Sequence, residues 1–303
     1  MAKAWINGLI VLVCVGLAGG LALAISDSGL RWAGWPLPLV CAAMAFAVQW
    51  LVFVPSFLGQ SEHYYDLTGS LTYLLLVTFA LSISTSLNEE WNARALLLCA
   101  MVWVWALRLG SFLFLRIQRA GKDGRFDEIK PFFSRFLLTW TLQGLWVFVT
   151  LAAALAAISA EQVVPLSWPA VVGFALWLGG LSLEAVADAQ KAAFNRNPVN
   201  AGRFVNVGLW RWSRHPNYAG EILLCLGVAV VAMPAFVGWQ WLALVSPLFV
   251  YLLLTRISGI PLLERRADEK WEGDPDYWHY KAVTPVLWLR PPDASGPEKG
   301  LDP

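Results

Sequence analysis

Residues 214–233 read RHPNYAGEILLCLGVAVVAM. The first eight positions hold a guanidinium, an imidazole, an amide, a phenol and a carboxylate, and the twelve after Glu221 carry no polar side chain stronger than the Cys225 thiol. A segment divided in this way reads as the mouth of a membrane span, polar in the interface and apolar where hydrocarbon begins. The rest of the chain repeats the apolar half. Hydrophobic residues make up 58% of the 303, charged residues 14%, and mean hydropathy is +0.56, which would leave a soluble protein with far too much apolar surface against water. Apolar runs recur near 4–25, 35–58, 69–87, 94–117, 136–160, 169–190, 217–233 and 236–255. Each approaches the roughly 20 helical residues that cross a core of about 30 Å. The expected fold is an all-α polytopic transmembrane bundle of seven to eight spans, with Pro234 dividing the last two into a tight hairpin.

The first run lacks a small-residue cleavage site and a second span follows within ten residues, so it reads as a retained helix. Cys14, Cys41, Cys99 and Cys225 all fall inside expected spans without CxxC spacing, which argues against disulfides and thiolate metal sites. With eight spans, one face of the membrane receives 18 of the 22 basic residues. The Lys/Arg excess marks that face as cytoplasmic and the protein as an integral inner-membrane one with its N-terminus in the cytoplasm. No repeat and no long polar insert interrupts residues 1–290, which read as one membrane domain, and the Pro- and Gly-rich stretch 291–303 reads as a disordered tail. Nearly all of the eighteen tryptophans are expected in an interfacial belt.

Polar chemistry concentrates on the basic face, in QSEHYYD (60–66), RIQRAGKDGRF (116–126), EAVADAQKAAFNRNPVNAGRF (184–204), RHPNYAGE (214–221) and RISGIPLLERRADEKWEGDPDYWHYK (256–281). Pro216 suits the first turn of a helix, whose unpaired amides, with Arg214, offer a place for a phosphate or other anion. Asn217, Tyr218 and Glu221 share one side of that helix by their spacing. Glu184 and Asp188, four apart near the end of an apolar span, need partners or a wet cavity. Pairing with Lys191 or an arginine would satisfy that need, but the preferred reading is a cavity wall. Within 60–66, Glu62, His63, Tyr64, Tyr65 and Asp66 offer several groups able to donate a proton or polarise a carbonyl oxygen. Three histidines without HxxxH or HExxH spacing exclude histidine-box di-iron and zinc-protease sites, so no metal is expected. Rossmann and P-loop signatures are absent, and the loop cations lack a stacking platform for nucleic acid. No protein partner is evident.

The pattern E-x3-D-x-Q-x3-F at 184–194, GLWRWSRHPNYAGE at 208–221, SGIPLLE at 258–264, the closing DYWHYK and GKDGRF together resemble the steroid 5-alpha-reductase-like membrane proteins, in particular a bacterial branch of uncharacterised function. The resemblance covers roughly 60–290. It implies an all-helical bundle that holds NADPH on its cytoplasmic side and reduces the carbon–carbon double bond of an enone-containing, steroid-like or other lipid. Carried over, it places Asp188, Asn217 and Glu221 on the cofactor, with Arg203, Arg214, His215, Tyr218 and Arg256 beside them. Glu62 corresponds to the acid that meets the substrate carbonyl, assisted by Tyr64 or Tyr65, and a half-buried carboxyl kept protonated could donate that hydrogen bond. Isoprenylcysteine and phospholipid methyltransferases carry a similar RHPxY element, so an S-adenosylmethionine-dependent methyltransferase stays open as the rival reading.

Overall fold

The computed structural model describes residues 2–88 and 91–291; apart from Pro291, the expected disordered tail lies outside them. Among the described residues ten α-helices follow one another: α1 (Ala2–Ala24), α2 (Leu37–Leu58), α3 (Tyr65–Leu87), α4 (Ala93–Ala120), α5 (Phe133–Ile158), α6 (Trp168–Arg196), α7 (Pro216–Ala232), α8 (Val245–Leu252), α9 (Ile260–Lys270) and α10 (Pro275–Val283). A two-residue β-ribbon, Arg31–Trp32 against Trp35–Pro36, precedes α2. Eight stretches are long and apolar enough to cross a membrane; the last, Gly238–Lys270, is composite. The protein is an all-α integral membrane protein with eight candidate spans.

Local chemistry sets the helix ends. Asn92 caps α4 by accepting from the Ala95 amide at 2.9 Å, and Gly121 takes the positive φ of 79° that follows it. Asn197 turns the chain after α6 by accepting from Val199 N, with Pro198 unable to continue the helix. Asp274 caps α10 through the amides of Asp276 and Tyr277, with Pro275 at the first helical position. Two ends differ from the sequence expectation. Helix α3 begins at Tyr65 instead of 69, because the Glu62 carbonyl already accepts from Tyr65 N and Asp66 favours a helix N-terminus. Helix α6 runs to Arg196 instead of 190, since polar residues leave helical hydrogen bonding intact once a helix has left lipid. The composite span also differs. After α8 the chain makes a π-turn over Leu253–Ile257, with Ser258 N donating to Leu253 O, and breaks at Gly259 before α9.

The chain forms two compact units, Met1–Gly173 with Val228–Ser246, and Phe174–Gly227 with Pro247–Pro303. The first is built around α5, which touches α1, α2, α3 and α4. Its run Val147–Ile158 is buried on all sides, as expected of a helix that is apolar all round, and its alanines let neighbouring backbones approach. At one end of this unit Phe53, Phe126, Phe136 and Trp140 pack edge to face, with ring centroids 5.8 to 6.2 Å apart. At the other end the buried Arg94 guanidinium donates to the carbonyls of Val164, Pro165 and Val231. Trp105, Trp140, Trp177 and Trp210 are buried, so the indole belt is smaller than composition suggested. A large ring also fills core volume, and composition cannot tell the two uses apart.

In the second unit the C-terminal segment runs back along the approach to α7. Arg214 N donates to Pro285 O, Arg290 N to Trp212 O, and Ser213 Oγ to Leu287 O. Phe204, Trp271, Tyr277 and Tyr280 form an aromatic cluster beneath it.

Candidate functional site

Two glycines position the site. A Cβ on Gly220 would stand 2.6 Å from the Glu184 amide and from the Gly180 carbonyl, and one on Gly180 would stand 2.5 Å from Gly220 O and Leu224 N. Helices α6 and α7 therefore touch backbone to backbone, which larger residues would forbid. Spacings of four along α6 put Glu184 and Asp188 on the stripe of Gly180. On α7, Asn217 and Glu221 flank Gly220. The crossing brings the stripes together: Asn217 Nδ2 donates to Asp188 Oδ1 at 3.2 Å. Glu184 and Asp188 are buried, and Asn217 and Glu221 are half-buried.

A second group adjoins the start of α7. Glu264, on α9, meets His215 Nε2 at 2.8 Å and forms ion pairs with Arg214 Nη1 at 3.0 Å and Lys281 Nζ at 3.4 Å, while Arg214 Nη1 donates to Lys281 O at 3.3 Å. Lys281 also pairs with Asp268, which accepts from the Tyr277 hydroxyl at 2.7 Å. Ser213 Oγ accepts from His215 N, and the imidazole stacks on Tyr218 with centroids 5.6 Å apart. Burial pushes the His215 pKa below its ordinary value, and the Glu264 carboxylate only partly offsets it. The ring is neutral at pH 7. With Nε2 donating to Glu264, Nδ1 is left as an acceptor. One buried atom of this group stands out: Arg214 Nε has no hydrogen-bond partner among the described residues.

Asp188, Arg214, His215, Asn217, Tyr218 and Glu221 thus lie together, whereas Arg203 and Arg256 are exposed on the loop after α6 and on the π-turn. Glu264, Asp268, Tyr277 and Lys281 were missed as site residues. Glu264 closes SGIPLLE and Tyr277 and Lys281 lie in DYWHYK, but neither motif assigned any of them a role. Long-range folding, not spacing, selects them.

Glu62, Tyr64 and Tyr65 belong to the first unit. The Glu62 carboxylate is buried, pairs with Lys130 Nζ at 2.7 Å and accepts from Asp123 N at 3.0 Å. Burial pushes its pKa up, but Lys130 and the Asp123 amide outweigh burial and hold it below the ordinary carboxylate value. The expected protonated carboxyl is therefore corrected to an ionised one. The sequence could not show that the segment 121–130 folds back to supply the Asp123 amide and the Lys130 cation. The buried Tyr65 hydroxyl donates to Thr139 O, whereas Tyr64 is 54% exposed. Around them, Asp66 lies 3.5 Å from Arg116 and 3.8 Å from Arg125, and His63 Nε2 meets Gln118 Nε2 at 2.8 Å.

No group of three or more metal-ligating side chains gathers among the described residues. A family profile described as "Protein of unknown function (DUF1295)" matches residues 52–284, and the chain belongs to that family. The probable O-methyltransferase ustE of Ustilaginoidea virens is 33% identical over 60 residues, 20% of this chain and 21% of its own length. The chain thus matches about a fifth of that relative. No solved structure matches the chain.

Proposed function

We propose that this DUF1295 member is a membrane-embedded, NADPH-dependent reductase of a carbon–carbon double bond in an enone-bearing lipid. Its cofactor site would lie in the second unit, at the α6–α7 crossing. One observation carries the reading: Glu184, Asp188, Asn217 and Glu221 are sequestered at a glycine crossing next to an arginine whose Nε–H is buried and unspent. Buried acceptors and a spare cationic donor are what a polar, anionic ligand with hydroxyl and amide groups requires. The residues fit the group that the steroid 5-alpha-reductase resemblance implies. Asp188 and Glu221 would accept from ribose hydroxyls and the carboxamide, Asn217 would stay oriented by Asp188, and Arg214, Arg203 and Arg256 would face phosphates. When bound, NADPH supplies a hydride.

The chain's own residues do the rest. His215, neutral and fixed on Glu264, keeps Arg214 and the start of α7 in place without adding a second charge. The substrate oxygen gathers negative charge and needs a donor. Glu62, ionised and spent on Lys130 and Asp123, cannot donate, and the Tyr65 hydroxyl is already committed. Tyr64, exposed and without a hydrogen bond from its hydroxyl among the described residues, is the group of residues 60–66 left able to donate, and Glu62 holds the turn that carries it. The reacting face would open toward the cytoplasm, where the basic residues accumulate.

The ustE match favours a second reading, transfer of a methyl group from S-adenosylmethionine, whose sulfonium also suits a carboxylate-rich site. Thermal shift of the purified protein with NADPH, NADH and S-adenosylmethionine separates the two. The reductase reading expects stabilisation by a nicotinamide dinucleotide, lost in Asn217→Ala and Glu221→Gln. Stabilisation by S-adenosylmethionine alone would end it.

A further inference from the structure

A groove of about 330 Å3 opens in the second unit between residues 204–211 and α10. Asp276, His279, Tyr280 and Val283 line it at helical spacings of three and four, so they form one stripe of α10. Lys281 and Tyr277 leave α10 in another direction, toward Glu264 and Asp268. The groove is therefore separate from the proposed cofactor group. Its wall is aromatic. Phe204 lies on Tyr280 with centroids 5.2 Å apart, and the Tyr280 hydroxyl is spent on Trp210 O, which leaves the ring face apolar.

Three residues with polar donor side chains, Asn206, Arg211 and His279, also line this groove. None of the three side chains makes a hydrogen bond or ion pair among the described residues. A guanidinium, an imidazole and an amide converging without partners match the oxygens of a phosphate. Asp276 lines the same groove, and its charge disfavours a dianion more than a monoanion. That selects a diester over a monoester. The neighbours of Arg211 and His279 in sequence, Trp212 and Trp278, are 47% and 42% exposed, as indoles at a membrane interface are.

We propose that this groove binds a phosphodiester carried on an apolar body, the chemistry of an anionic phospholipid headgroup, with Arg211 and His279 on the phosphate and Phe204 and Val283 against the glycerol and upper chain. The site does not depend on the reductase reading. Its test uses the full chain in neutral detergent, exposed to phosphatidylglycerol, phosphatidylcholine or inorganic phosphate, with lipid retained per chain counted by native mass spectrometry. Parent protein should retain phosphatidylglycerol over phosphatidylcholine. Arg211→Gln should weaken retention about ten-fold, the loss of one charge-assisted contact, and His279→Gln should weaken it less. Arg265→Gln, exposed on α9, should match the parent. Release of the lipid by millimolar inorganic phosphate would confirm the phosphate as the recognised group. Equal retention of both lipids, or equal retention by Arg211→Gln and Arg265→Gln, would overturn the proposal. Displacement by NADPH would overturn it as well, by giving the groove to the nucleotide, and the NADPH thermal shift of Arg211→Gln reports that case separately.

Discussion

Gly220→Ala is the substitution for which the geometry allows a magnitude. Its methyl group would sit 2.6 Å from the Glu184 amide and the Gly180 carbonyl, and 3.0 Å from Glu184 Cβ. Two of these neighbours are backbone and cannot rotate away, so α6 and α7 must part by about 0.9 Å to restore a carbon contact of about 3.5 Å. Overpacking of this kind costs about 1–3 kcal/mol. The same movement would stretch the 3.2 Å bond from Asn217 to Asp188 to about 4 Å, beyond hydrogen bonding. Gly179 provides the control: a Cβ there meets nothing within 4 Å, and alanine is the better helix former. Unfolding in mixed micelles, followed by circular dichroism, should show Gly220→Ala less stable by at least about 1 kcal/mol and Gly179→Ala unchanged or slightly more stable. Dinucleotide-dependent stabilisation should vanish in the first and persist in the second. Equal stability of the two variants would refute the backbone contact and the site built on it.

Three further outcomes follow from other buried groups. Arg94→Met removes the donor shared by three carbonyls and orphans the buried one of Val231, at a cost of about 1–3 kcal/mol, and the denaturation midpoint would register it. Glu62→Gln keeps an acceptor for Asp123 N but leaves Lys130 only its longer 3.7 Å pairing with Asp127, so limited proteolysis should cut 121–132 faster while the far end of the first unit stays protected. His215 has a folded pKa below its unfolded value of about 6.5, so the stability it contributes is full above that pH and lost as pH falls toward the folded value. Melting temperatures from pH 8 to 5 should therefore fall more steeply for the parent than for His215→Gln, and parallel slopes would contradict the neutral ring.

Spans were legible because lipid leaves little freedom: a run of about 20 apolar residues has few other uses. Pro216, Asn92, Asp274 and Gly121 mark helix ends by chemistry that acts within four residues, and such signals survive in a bare sequence. Asp188, Asn217 and Glu221 could be named together, though nothing in their spacing required Gly180 and Gly220 to press the two helices into contact. Glu264 and Lys281 were invisible for a related reason. Glu264 meets His215 across 49 residues and the Lys281 carbonyl accepts from Arg214 across 67, and a charged residue in a polar loop looks alike whether it is solvated or enclosed. The protonation of Glu62 was misjudged because burial was considered without the cation that accompanies it.

The π-turn at Leu253–Ile257 holds one residue more than an α-helical turn would need. It therefore sets how the chain enters the break at Gly259. Deleting a single residue there would close the turn to ordinary pitch and rotate the entry to that break by about 100°, displacing Glu264 from Arg214 and His215 without altering any residue that contacts them. The length of this short stretch is thus as much a specification of the site as the identity of its side chains, and chains that differ by one residue at this point should not be expected to share it.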